Sequence, residues 1–151
     1  MKKTYQLTVA GKEALEKELA ELIALRGEIA RKIAEARDNG DLAENSEYDE
    51  ARNRQAVDES RINEINTILL NSTIIKAKTS TKVTIGNTVV LENEGTKKTY
   101  TIVGSVEADP LEGRISDESP IGQALLGKAV GEAVSIKTPK GETSYMIVEI
   151  K

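Results

Sequence analysis

The sequence holds no cysteine, histidine, tryptophan or phenylalanine, and its 151 residues include only four tyrosines and three prolines. Without thiol or imidazole there is no Cys or His nucleophile, no histidine general base and no ordinary zinc site. The scarcity of rings also removes the aromatic platform on which single-stranded nucleic acids stack. No stretch approaches the ~20 apolar residues of a membrane span, and the basic start, Met1 to Thr8, lacks the apolar run of a signal peptide. A cytoplasmic protein is expected. The side chains left for chemistry are carboxylates.

What is present is charge. Lys and Arg total 21 against 25 Asp and Glu, a net −4, without the basic excess of an autonomous DNA binder. Any contact with DNA or RNA must therefore be local. A hydrophobic content of 38% suits a modest core in one domain or two small ones.

The first half reads as two long helices. Thr8 is the expected N-cap of the first, with Leu7 able to pack back on the opening turn. Leu15, Leu19, Leu22, Ile29, Ile33 and Ala36 then recur in steps of four and three if Arg26 occupies one seam position, which is a heptad pattern. Asn39-Gly40 marks a stop, since both residues tolerate positive φ. Ser46 with Asp49 forms a weak capping box for a second helix, along which Tyr48, Ala51, Gln55, Asp58, Ile62, Ile65 and Leu69 continue the pattern. Helices joined by so short a link pack antiparallel. About 28 residues at roughly 1.5 Å each make a rod of about 40 Å. Its tip is acidic: Asp38, Asp41, Glu44, Glu47 and Asp49.

Beyond Asn71 the texture changes to β-branched segments at 83–91, 99–103, 133–137 and 144–150, separated by Glu92-Asn93-Glu94-Gly95 and Pro139-Lys140-Gly141. Ser119, Pro120 and Gly127 bracket one short helix. The fold class expected is α+β: an antiparallel helical hairpin over 1–76, then a small antiparallel β domain with a short helix over 77–151. Neither half is basic: 12 basic against 15 acidic residues leave −3 in the first, and 9 against 10 leave −1 in the second.

The run Gly40-Asp41-Leu42-Ala43-Glu44-Asn45-Ser46-Glu47-Tyr48, inside Ala34 to Arg52, resembles the tip of the bacterial Gre family of transcript cleavage and elongation factors, nearest its GreA branch. Ser119-Pro120-Ile121, Leu126-Gly127-Lys128 and Ile136 to Pro139 resemble the family's carboxy-terminal domain, so the likeness runs over nearly the whole chain. It implies a coiled coil followed by a domain similar to FKBP-type prolyl isomerases. It also implies a function as a cofactor, with no enzymatic activity of its own: binding RNA polymerase, inserting the coiled coil through the secondary channel, and stimulating cleavage of the nascent RNA 3′ segment in backtracked complexes.

Phosphodiester hydrolysis needs an activated water and stabilised negative charge, which two nearby cations supply together. Magnesium takes hard oxygen ligands and keeps waters. Asp41 and Glu44, carried over from the family motif, are the expected catalytic and Mg2+-holding carboxylates. Two ligands alone bind magnesium weakly, so no metal is expected on the isolated protein and polymerase must complete the site. Arg37 and Arg52 are candidates for gripping RNA phosphate, while Lys32, Arg54 and Arg61 more simply pair with nearby acids. The resemblance implies that Asp117, Ser119 and Pro120 bind polymerase, although a capped helix beginning with proline accounts for Ser119 and Pro120 without a partner. A monomer is expected.

Other readings stand beside this one. The acids can be a solvated loop or favour helix N-termini. A channel-binding inhibitor that stimulates no cleavage is a second, which retention of both Asp41 and Glu44 opposes. Prolyl isomerase activity is a third; the second domain, with only Tyr100 and Tyr145 as rings, lacks the walls for a prolyl pocket.

Overall fold

The computed structural model describes residues 3–40, 44–76 and 81–151. The chain divides into two compact units: residues 13–71, and residues 1–12 together with 72–151. The first is the helical hairpin, the second the sheet unit.

Two helices, α1 (Val9–Asp38) and α2 (Ser46–Leu70), form the hairpin. Thr8 caps α1, its Oγ1 accepting the Gly11 N–H at 3.0 Å. The helix stops where Asn39-Gly40 stands, but glycine is not needed there for a left-handed φ. A Cβ at Gly40 would come within 2.8 Å of the Asn45 side-chain nitrogen, so the requirement is for space. The second cap is Asn45 and not Ser46: its side chain accepts the Tyr48 N–H at 3.1 Å. Asparagine one residue earlier reaches that donor and leaves Ser46 as the first helical residue.

Leu15 and Ala36 on α1, and Asp58, Ile62, Ile65 and Ile68 on α2, are buried. Two seam assignments shift. Arg26 is exposed while Leu25 is half-buried, and Ile68 lies deeper than Leu69. A straight helix drifts from a strict heptad, so the next residue round takes over the seam. Freed from it, Arg26 lies at the flank and forks onto Glu59 of α2, with N–O distances of 2.7 and 2.9 Å. Arg61 makes the reciprocal bridge to Glu18, at 2.7 and 3.0 Å, and also reaches Glu64 at 2.7 Å. As the partner on α1 advances from 18 to 26, that on α2 falls from 61 to 59, the sense of an antiparallel pair.

In the sheet unit, β1 (Tyr5–Leu7) pairs in parallel with β2 (Ser72–Ile74). Three-residue strands carry no alternation signal, and the sequence did not announce either. The main sheet contains β3 (Thr88–Asn93), β4 (Thr96–Val103), β5 (Arg114–Ser116), β6 (Ala133–Thr138) and β7 (Gly141–Ile150), ordered β5-β4-β3-β7-β6. Hairpins join β3 to β4 and β6 to β7, antiparallel as their turn residues require; Glu94 and Gly95 have φ of 49° and 80°. The expected first strand is cut short because Gly86, at φ 95°, turns the chain before β3. The short β5 returns parallel to β4 after two 3-10 turns, adding one parallel pair to an otherwise antiparallel sheet.

One sheet face carries the core: Val89, Leu91, Ile102, Ile115, Val134, Ile136, Tyr145 and Ile147, closed by Val83 and by Leu125 of α3 (Pro120–Leu125). Each fully buried aliphatic side chain contributes about 1.5–3 kcal/mol.

Candidate functional site

The tip is closed by one side chain. While the Asn45 Oδ1 caps α2, its Nδ2 donates to the carbonyl of Ala36 on α1 at 2.6 Å, and Ala36 itself is buried. One amide thus satisfies an orphan donor of one helix and an orphan acceptor of the other. Tyr48 is half-buried beside it, a packing residue.

This closure sorts the tip acids. Glu47 and Asp49 lie in the first turn of α2, where carboxylates favour the helix dipole by about 0.3–1 kcal/mol each. Glu44 lies ahead of the cap and is exposed, with no hydrogen bond or ion pair to a described residue. Asp41 lies outside the described residues. A carboxylate in water suits a hard cation, and Glu44 fits magnesium chemically; among the described residues no group of three or more Asp or Glu side chains could hold a metal.

Arg37, in the last turn of α1, and Arg52, in the second turn of α2, are both exposed. Arg37 lies 3.9 Å from the Asp38 carboxylate, and Arg52 donates to Gln55 at 3.1 Å. The other bases are committed to acids: Lys32 to Glu28 at 3.2 Å, Arg54 to both oxygens of Asp58 at 3.0 Å, and Arg61 to Glu18 and Glu64. Below the tip a groove of about 860 Å³ opens beside Lys32, Ala36, Asn39, Arg54 and Asp58. The seam there is polar and loosely filled.

Further down, the hydrogen bond from Arg61, opposed by some burial, holds the Glu18 carboxyl below the usual range. Arg26 does the same for Glu59. The Arg26 and Arg61 guanidinium pKa values rise in return.

In the sheet unit Ser119 caps α3, accepting the Gly122 N–H at 3.0 Å and donating to the Ser116 carbonyl at 2.7 Å. Pro120, the first helical residue, is exposed, while Asp117 and Ser119 are half-buried. A Cβ on Gly122 would collide with the Ser116 carbonyl, so this turn is held tightly against β5. Asp117 and Glu118 also border a cleft of about 270 Å³ whose other wall includes Tyr5, Gln6 and Gly104.

Sequence reasoning missed Glu107. Its carboxylate accepts the Thr8 N–H at 2.8 Å and the Thr8 hydroxyl at 2.6 Å, from 99 residues away. The available signal was Gly11, a glycine at the third position of a helix, where a capping box carries Glu or Gln.

Comparison with known proteins adds to this geometry. Residues 5–74 match the family model described as the transcription elongation factor N-terminal domain, and residues 78–151 match that of the GreA/GreB C-terminal domain. The transcription elongation factor GreA of Bacillus cereus (strain ATCC 14579) is 49% identical over 99% of this chain and 98% of its own. That of Listeria monocytogenes serotype 4a is 48% identical over 98% of this chain and 96% of its own. Among solved structures, the GreA factor homolog 1 (Gfh1) of Thermus thermophilus is 31% identical over 99% of both chains, with a TM-score of 0.46.

Proposed function

The chain belongs to the GreA/GreB family of transcription elongation factors, and from that premise we propose that it binds RNA polymerase, enters the secondary channel with its helical hairpin and stimulates cleavage of the nascent RNA 3′ segment in backtracked complexes. The observation that carries this reading is the tip. Asn45 locks the ends of both helices together, and Glu44 projects into solvent immediately before that lock.

A side chain fixed at its root and exposed at its carboxylate is suited to complete a site supplied by another molecule. Asp41 and Glu44 would hold Mg2+ jointly with polymerase carboxylates, and the chemistry such a cation would supply there is an activated water and stabilisation of phosphate charge. Arg37 and Arg52, on opposite helices, hold the displaced RNA by its phosphates. Asp117, Ser119 and Pro120 form the docking face on polymerase. The chain acts as a monomer in the cytoplasm and is not itself a nuclease.

The test is a purified, backtracked polymerase complex with wild type, Asp41→Ala and Glu44→Ala at saturating factor. Both variants are expected to lose cleavage about a hundredfold or more, the scale of removing one charge-stabilising group from an active site. Undiminished cleavage by both sinks the assignment. Slowed synthesis with no shortened transcript from wild type selects the inhibitor reading. Substitutions at Asp117 and Pro120 are expected to weaken polymerase affinity and leave cleavage at saturation unchanged.

A further inference from the structure

Asn45 is bonded to both helices of the hairpin, and its two bonds differ in reach. Its Oδ1 accepts the Tyr48 N–H at 3.1 Å, an ordinary cap that concerns α2 alone. Its Nδ2 donates to the Ala36 carbonyl of α1 at 2.6 Å, nine residues back in the chain. A backbone N–H only donates and a carbonyl only accepts, so the two partners fix which end of the amide is which. Gly40 leaves room for the second bond: a Cβ there would stand 2.8 Å from the same Nδ2 and 3.3 Å from the amide carbon. Serine and aspartate cap a helix as well as asparagine does, but neither carries an amide N–H to send across to Ala36.

Little else joins the helix ends. Among the described residues the next polar link between α1 and α2 is Arg26 with Glu59, about 15 Å further down α1 at 1.5 Å per residue, and the seam between the two links borders the groove of about 860 Å³. Around the cross-link stand the groups on which cleavage would depend. Arg37 follows the acceptor residue on α1, Glu44 precedes Asn45, and Arg52 lies one helical turn beyond Tyr48 on α2. All of them belong to the hairpin unit. Resting on the cleavage reading above, we propose that Asn45 is a positioning residue for the tip chemistry: the bond from its amide to the Ala36 carbonyl, and not its cap on α2, sets Glu44 and Arg52 against Arg37. Misplacement by about 1 Å at a reacting centre costs as much as a hundredfold in rate.

The experiment compares wild type, Asn45→Ser, Asn45→Asp, Asn45→Ala, Gly40→Ala and the Gly40→Ala/Asn45→Ser double variant. It measures RNA cleavage in backtracked polymerase over a range of factor concentrations, and thermal unfolding of the helices by circular dichroism. In stability, Asn45→Ser and Asn45→Asp are expected to stand above Asn45→Ala, because they keep the cap. In cleavage at saturation all three are expected to fall together, about tenfold or more below wild type, with the half-saturating concentration within about twofold. Gly40→Ala displaces the same nitrogen while Asn45 stays in place, and is expected to cleave as poorly. The double variant is expected to be no worse than Asn45→Ser alone, since the added methyl no longer meets an amide; such coupling marks residues in contact.

Cleavage that follows the stability order, with Asn45→Ser and Asn45→Asp near wild type, assigns Asn45 to capping alone and overturns the proposal. So does a Gly40→Ala defect that adds in full to that of Asn45→Ser. If Asn45→Ser does not fold, Gly40→Ala carries the comparison, and wild-type cleavage by it refutes the cross-link's role. Should wild type itself give no cleavage, the parent reading fails instead. The chain has no cysteine of its own, so spin labels on Glu35→Cys and Glu50→Cys, at exposed positions of α1 and α2, then judge the cross-link: a broader distance distribution in Asn45→Ser supports it and an unchanged one refutes it.

Discussion

Along α2 the hairpin buries Asp58, Ile62, Ile65 and Ile68, one of them charged, whereas the main sheet closes over ten buried residues from Val83 to Ile147, none charged. The hairpin's cross-helix order is written at its flanks, in the Arg26–Glu59 and Arg61–Glu18 forks. The sheet's order is written in backbone ladders and a continuous apolar face. The sheet unit stands on its own core. The hairpin keeps polar flanks, where a wide apolar stripe would invite association.

The contrast breaks most severely at the sheet core. Leu91→Ala, at a fully buried position, is expected to cost about 2–5 kcal/mol, read as a lowered urea midpoint. A loss under about 1 kcal/mol would mean that the sheet is no more tightly packed than the hairpin. Next comes the tip lock. Asn45→Ala removes a cap and leaves the Ala36 carbonyl unpaired, for an expected loss of about 1–2 kcal/mol and faster amide exchange at 46–49. Exchange unchanged there would show that the tip holds without it.

Asp58→Leu sharpens the comparison in the other direction. Arg54, its partner, keeps a side chain 60% exposed, so no buried charge is stranded. The hairpin is expected to be unaffected or to gain about 1 kcal/mol in thermal unfolding. A loss would reveal that the buried carboxylate sets the seam's register.

The smallest effect is acid sensitivity. Hydrogen bonds from Arg61 and Arg26 depress the pKa values of Glu18 and Glu59 in the folded hairpin. Such groups contribute stability that is present above the ordinary glutamate value of about 4.3 and is lost as pH falls through their lower folded values. Helical signal at low salt is expected to weaken below about pH 4, less so in an Arg26→Gln/Arg61→Gln variant, which has little left to lose. Identical acid profiles would show that these forks contribute nothing measurable, as many exposed pairs do not.

Much of this was legible before any coordinates. The four-three recurrence from Leu15 to Ala36 marked α1, Asn39-Gly40 marked its end, and Ser119-Pro120 marked α3, because periodicity, caps and proline placement act over a few residues. The Ser119-Pro120 segment and the tip motif were likewise local strings. Less legible was whatever depended on distant chain. Neither β1 nor β2 has a signal of its own, since each exists only by pairing with the other across 67 residues of sequence. The seam at Leu25 and Ile68 differed from a strict heptad by one residue, an angle that packing sets. Asn45 stands as the cap where Ser46 was expected, and its amide also reaches the Ala36 carbonyl.

By itself, then, the sequence determined the three helices, four strands of the main sheet, their order, the acidic tip and the family, all of which follow from neighbours a few residues apart or from a contiguous motif. Tertiary structure alone decided the parallel β1–β2 pair, the cross-helix forks, the amide lock at Asn45 and the carboxylate of Glu107 at the head of α1. Each joins groups that chain order holds apart. The partner that satisfies a polar group is chosen by proximity in space, and hydrogen bonds and charges have no reach until folding brings them within about 3 Å.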